Sequence, residues 1–95
     1  MKFAFDKSKN EILRKDRGVS FYDVIEAIAE KGILLNIEHP NREKYPDQFM
    51  LVIEYNNYTY CVPYERSGDT VRLITLFPNR EYLYLLEGRN KNGKN

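Results

Sequence analysis

The sequence predicts an α+β fold: two N-terminal helices packed on a small antiparallel sheet, with a short C-terminal helix. Three observations lead there. Phe21, Val24, Ile25 and Ile28 recur at helical spacing. From Ile33 onward the apolar period changes to two. Asn56-Asn57 then separates two alternating runs, as a two-residue hairpin turn does.

Each element has a local reason. Lys2 to Phe5 alternates Phe3 and Phe5 with smaller neighbours and suits a short edge strand. Asp6 can cap a helix running to about Asp16 and ended by Gly18. Its apolar content is thin, mainly Ile12 and Leu13, so one side must face solvent or a partner. Ser20 caps the second helix, Asp23 sits at the reciprocal position of a capping box, and Val19 and Val24 have staple spacing. Lys31 and Gly32 are its stop signals. The strands "ILLNIE", "QFMLVIEY", "YTYCVPYE" and "TVRLITLF" follow. Pro78 ends the last strand, and Asn79 can cap a helix from Arg80 to Glu87. Residues 1–88 therefore form one domain, and "GRNKNGKN" leaves residues 89–95 as a disordered polar tail.

The hairpin sets a register. Tyr55 faces Tyr58, Ile53 faces Tyr60, Leu51 faces Val62 and Phe49 faces Tyr64. A four-residue "RSGD" turn would then set Tyr64 against Val71 and Val62 against Leu73. One face of this meander is apolar and aromatic, and the helices must cover it. The other carries Met50, Val52, Glu54, Cys61, Glu65, Arg72, Ile74 and Leu76, half apolar and half charged. That face is expected to be open to a ligand or partner, with Met50, Val52, Ile74 and Leu76 gaining burial there. Pro63 conflicts with a central strand, which a bulge or strand end would relieve.

Composition removes several function classes. Net charge is only +1. The first residues nevertheless carry Lys2, Lys7, Lys9, Arg14, Lys15 and Arg17 against three acids, whereas the stretch from Phe21 to Glu38 is net acidic. One cysteine, Cys61, excludes an internal disulfide framework and a cysteine-rich zinc site. One histidine and no carboxylate cluster leave too few ligands for a metal, so none is expected, nor is any cofactor. The opening "MKFAFDKSKN" lacks the apolar run of a signal peptide, and no segment has the length of a membrane span; a cytoplasmic protein is the expectation.

The stretch "IEHPNREKYPDQF" concentrates chemistry. His39 is the only group with a near-neutral pKa, and Arg42, Lys44 and Tyr45 follow between two prolines. Cleaving RNA without a metal requires a proton taken from the 2′-hydroxyl, a stabilised phosphate and a protonated leaving oxygen. Histidine can move the protons, and arginine and lysine can hold the phosphate. The plainer alternative is a strand-end histidine bonded to backbone, with Asn41 making an Asx turn. Glu65 and Arg72 lie diagonally across adjacent strands in this register, as a cross-strand ion pair or a phosphate-binding pair. Arg80, at a helix start, could grip an anion together with free backbone donors.

"FAFDKSKNEILRKDRGVSFYDVIEAI" resembles the opening of BrnT-type toxins, the ribonuclease halves of bacterial toxin–antitoxin pairs. The shared pattern falls on Phe5, Asp6, Lys9, Arg17, Gly18, Val19, Ser20 and Phe21. The stretch with His39, Pro40 and Asn41 and then Lys44, Tyr45 and Pro46 is similar to a branch of these proteins, and "LITLFPNREYLYL" to their closing strand and helix start. Two departures are plain. Asp16-Arg17-Gly18 stands where many members have Lys-His-Gly, and only Arg80 remains of a closing basic run. The resemblance implies a RelE/ParE-like fold, RNA cleavage, and a ribbon-helix-helix antitoxin as partner. On that reading His39, Arg72, Arg80 and Glu65 are catalytic, and Arg42, Lys44, Tyr45, Lys9 and Arg17 contact RNA. A non-catalytic binder of the same fold, or a toxin acting on a protein target, are the alternatives.

Overall fold

Local chemistry places both helices where the sequence puts them in this structure, a computed structural model that describes residues 1–87. The expected polar tail lies outside the described residues. Strand β1 (Lys2–Phe5) leads into α1 (Lys7–Arg17), whose first turn is closed by Asp6 accepting from the Lys9 N–H at 2.9 Å. Gly18 ends α1 at φ 73°, a left-handed backbone that costs a glycine little. Helix α2 (Phe21–Lys31) opens with a reciprocal cap: Ser20 Oγ accepts from the Asp23 N–H, and Asp23 accepts from the Ser20 N–H. Buried Asn10 accepts from the Phe21 N–H at 2.7 Å, tying α1 to the start of α2.

The remaining strands are β2 (Leu35–Glu38), β3 (Phe49–Tyr55), β4 (Tyr58–Ser67), β5 (Thr70–Leu73) and β6 (Phe77–Pro78), followed by a 3-10 turn, Arg80–Tyr82. Asn56 and Asn57, at φ 54° and 61°, make the two-residue turn between β3 and β4, and its register is the expected one. The fold is α+β with a mixed six-stranded sheet in the order β1-β5-β4-β3-β2, with β6 also on β4.

Four expectations are corrected. The sheet is mixed, because β1 pairs in parallel with β5, Phe3 opposite Val71. The second hairpin turns on Gly68-Asp69 alone, so Ser67 faces Thr70 and Tyr64 faces Leu73. That two-residue shift leaves the paired side chains of β4 and β5 on their expected faces, because the side-chain period is also two. It does bring Glu65 directly opposite Arg72 rather than diagonal to it. The closing strand breaks: residues 74–76 leave the sheet before β6 rejoins β4 at Cys61 and Tyr60. Finally, Arg80–Tyr82 is a 3-10 turn followed by a helical turn over residues 84–87, not one helix from Arg80.

Pro63 explains the break. Its carbonyl accepts from the Ile74 N–H at 2.9 Å. In a strand, a residue's N–H and C=O point to the same side, so the missing donor of Pro63 falls on the β5–β6 side, where the chain departs. No ladder bond there is left waiting.

Both sheet faces are covered. Under the helices lies the main core, with Leu13, Phe21 and Val24 against Leu51, Ile53, Val62 and Leu73, while Ile25 and Ile28 pack at its margin. On the opposite face Met50, Val52 and Cys61 sit beneath Phe77, Tyr82 and Leu85. The expected open apolar patch is therefore absent: Met50, Val52 and Leu76 are buried, and Ile74 is half-buried. Leu76 belongs to the helix-side core, because the irregular stretch 74–76 does not keep strand alternation. Among the described residues no helix is long and apolar enough to cross a membrane.

Leu51 is 1% exposed at the centre of the main core. Leu51→Ala is expected to lower unfolding free energy by about 2–5 kcal/mol in chemical denaturation. A loss below about 1 kcal/mol would contradict this packing.

Candidate functional site at the Pro63 break

His39 continues β2 by one residue, its N–H donating to the Gln48 carbonyl at 3.0 Å. Continuing the Phe49–Tyr64 register by one residue sets Gln48 against Glu65, and Glu65 faces Arg72. His39, Gln48, Glu65 and Arg72 thus form one row across four strands. All four share the face of Ile37, Met50 and Cys61, at the end of the sheet away from the Asn56-Asn57 turn. Three strand spacings separate His39 from Arg72, roughly 14 Å between backbones. They stand at the two ends of the row, too far apart to grip one phosphate together, with Gln48 and Glu65 between them. Glu65 and Arg72 are both exposed, and no ion pair joins them among the described residues.

The loop that carries His39 is braced from within. The Asn41 N–H donates to His39 Nδ1 at 3.0 Å, and Asn41 Oδ1 accepts from the Lys44 N–H. The expected Asx turn is replaced by a cap: Asn41 Oδ1 reaches the N–H three residues on, at Lys44, rather than two. Because Nδ1 accepts, the neutral ring carries its proton on Nε2 and offers a donor to any ligand. The Tyr45 ring lies 4.6 Å from the imidazole, and the Lys44 ammonium sits over Tyr45. Arg42 donates to the Gln48 carbonyl and lies near Glu38, so its charge is partly spent on holding the loop. Beside this loop is a hollow of about 300 Å³. His39, Tyr45 and Gln48 line one side, and Pro63, Ile74, Thr75 and Phe77, from the break in the sheet, line the other.

The other candidate residues are elsewhere. Arg80 lies next to Asn79, whose N–H donates to the Thr59 carbonyl, and Thr59 pairs with Glu54 near the opposite end of β3. Six residues of strand separate Gln48 from Glu54, roughly 20 Å. Arg80 therefore cannot share a phosphate with His39. Nor does it head an anion-binding helix, because Asn79 Oδ1 already accepts from the Glu81 N–H in a three-residue turn. Lys9 and Arg17 belong to α1, and the sheet lies between that layer and the His39 row. Cys61 is buried in the smaller core, where burial pushes its thiol pKa up. No group among the described residues could hold a metal ion.

Gln48, Thr75 and Phe77 were not foreseen as site residues. Pro63 was the available signal, because a proline in a central strand forces a neighbouring strand to end. Comparison with protein families, with curated proteins and with solved structures gives no match. The chemistry of this site rests on its own residues.

Burial lowers the His39 pKa from its usual value, and the Arg42 charge lowers it further. The unfolded chain then holds this proton more tightly than the folded chain does. Stability should be full above the ordinary histidine pKa and fall as pH drops through the lower folded value. An NMR titration of this single imidazole is expected to give a midpoint below about 6.5. A midpoint at or above that value would contradict the site's electrostatics.

Proposed function

We propose that this chain is the toxin of a bacterial toxin–antitoxin pair, a RelE/ParE-like endoribonuclease that cleaves RNA without a metal. The observation that carries the reading is the row of His39, Gln48, Glu65 and Arg72 across one end of the sheet. It supplies a base, a cation and a hydrogen-bond donor in line, as metal-free cleavage requires. The resemblance to BrnT-type toxins supports it as well.

In this reading Glu65 takes the 2′-hydroxyl proton, and Arg72, its register partner, neutralises the phosphate. The leaving 5′-oxygen takes its proton from solvent water, and His39, with its proton on Nε2, donates to the substrate away from the cut rather than acting as the base. Arg80 has no part in this site. The antitoxin is proposed to be a ribbon-helix-helix protein. Since the sheet face is covered by the chain itself, the helix side is left for it, where Ile12 and Tyr22 are 54% and 60% exposed.

One observation favours a second reading, a non-catalytic RNA-binding member of the same fold: His39 Nδ1 is occupied by the Asn41 backbone. The purified chain incubated with RNA in excess chelator decides between them. Cleavage to 2′,3′-cyclic phosphate ends is expected, slowed about 10²- to 10⁴-fold by Glu65→Gln and about 10²- to 10³-fold by Arg72→Ala. Both positions are exposed, so folding should be unchanged by circular dichroism. RNA binding without cleavage would establish the second reading. Full activity in both variants would remove the row from the mechanism.

A further inference from the structure

The hollow beside the row has a chemistry of its own. Two half-buried rings, Tyr45 and Phe77, stand at its sides, and Pro63 and Ile74 add apolar surface. Three residues with polar side chains also line it: Gln48, Thr75 and His39. Among the described residues, no hydrogen bond occupies the Gln48 side chain or the Thr75 hydroxyl. An aliphatic ligand would cover these groups without pairing them, which is unfavourable. A phosphate would find no cation, since neither Arg42 nor Lys44 lines the hollow. What fits is a planar ligand with apolar faces and hydrogen-bonding edges. At about 300 Å³, the space is at the small end for ligand sites and suits one ring system.

We propose that this hollow binds a single unpaired nucleobase, held between the aromatic rings and read at its edge by Gln48, Thr75 and His39. The proposal rests on the RNA-cleaving reading and extends it: Glu65 and Arg72 handle the backbone, and the hollow selects the base next to the cut. Single-stranded bases are commonly taken by stacking on aromatic side chains with hydrogen bonds to their edges. The break after Leu73 makes this possible, because a continuous β5 would fill the space with a regular strand.

The test is an NMR titration of the full chain with each of the four nucleoside 5′-monophosphates and with ribose 5-phosphate. At least one mononucleotide is expected to shift the ring signals of His39, Tyr45 and Phe77, and ribose 5-phosphate to leave them in place. Phe77→Ala should weaken that binding roughly 5- to 100-fold, the range for losing one stacked base. Phe77 also covers Met50, Val52 and Cys61. Thr75→Val is therefore the second variant; it removes one hydroxyl and should alter the preference among the four bases. Equal shifts with ribose 5-phosphate, or unchanged binding in both variants, overturn the proposal. RNA cleavage with no base preference and no mononucleotide binding overturns the hollow and leaves the nuclease reading intact. Mononucleotide binding without RNA cleavage does the reverse.

Discussion

Pro63 has no backbone N–H, and much of the sheet's layout depends on that. It stands in β4 with Met50 opposite on one side, so the missing donor falls toward the other side. A strand running through there would leave a carbonyl without a partner. The chain takes one last bond from the Pro63 carbonyl through Ile74, leaves for residues 74–76, and returns as β6. The return brings Phe77, Tyr82 and Leu85 over Met50, Val52 and Cys61. One proline thus ends β5, opens the hollow and leads the chain onto the face it covers.

Two cores of unequal size follow. The helix-side core is the larger, with Leu13, Phe21 and Val24 packed against Leu51, Ile53, Val62 and Leu73. The smaller one is held by a short strand and a turn, with the Thr59 hydroxyl donating to the Asn79 carbonyl at 2.6 Å. Tyr64 ties β4 to the edge strand β2, its hydroxyl donating to Asn36 Oδ1 at 2.7 Å across β3. Rigidity is therefore concentrated around the middle strands, and the polar row lies at their open end. Side chains mounted on strands keep their spacing better than side chains on loops.

What could be read from the sequence was local. Asp6, Ser20 with Asp23, Gly18 and the Asn56-Asn57 pair each specify their own neighbourhood within a few residues, and all took their expected places. The parallel pairing of Lys2–Phe5 with Thr70–Leu73 is invisible to such signals, because nothing near either strand encodes a partner so far along the chain. The coverage of Met50 and Val52 was missed for a related reason. Alternation shows which residues share a face, but not whether a later segment folds back over it. For the site, the loop around His39 could be read from its composition. The alignment of His39 with Glu65 and Arg72 could not, because it depends on how the loop between β2 and β3 closes and on a turn shorter than expected.

The parallel pairing of β1 with β5 also has a consequence for biosynthesis. Strand β1 leaves the ribosome well before its partner β5, so Phe3 and Phe5 must wait for Val71 and Leu73. Chains are made at about 5–20 residues per second, so that wait lasts several seconds. During it the sheet lacks an edge strand, and the row lacks Arg72. A growing chain cannot assemble its row before Arg72 has emerged. For a protein proposed to cut RNA, the topology itself postpones activity until translation has passed β5.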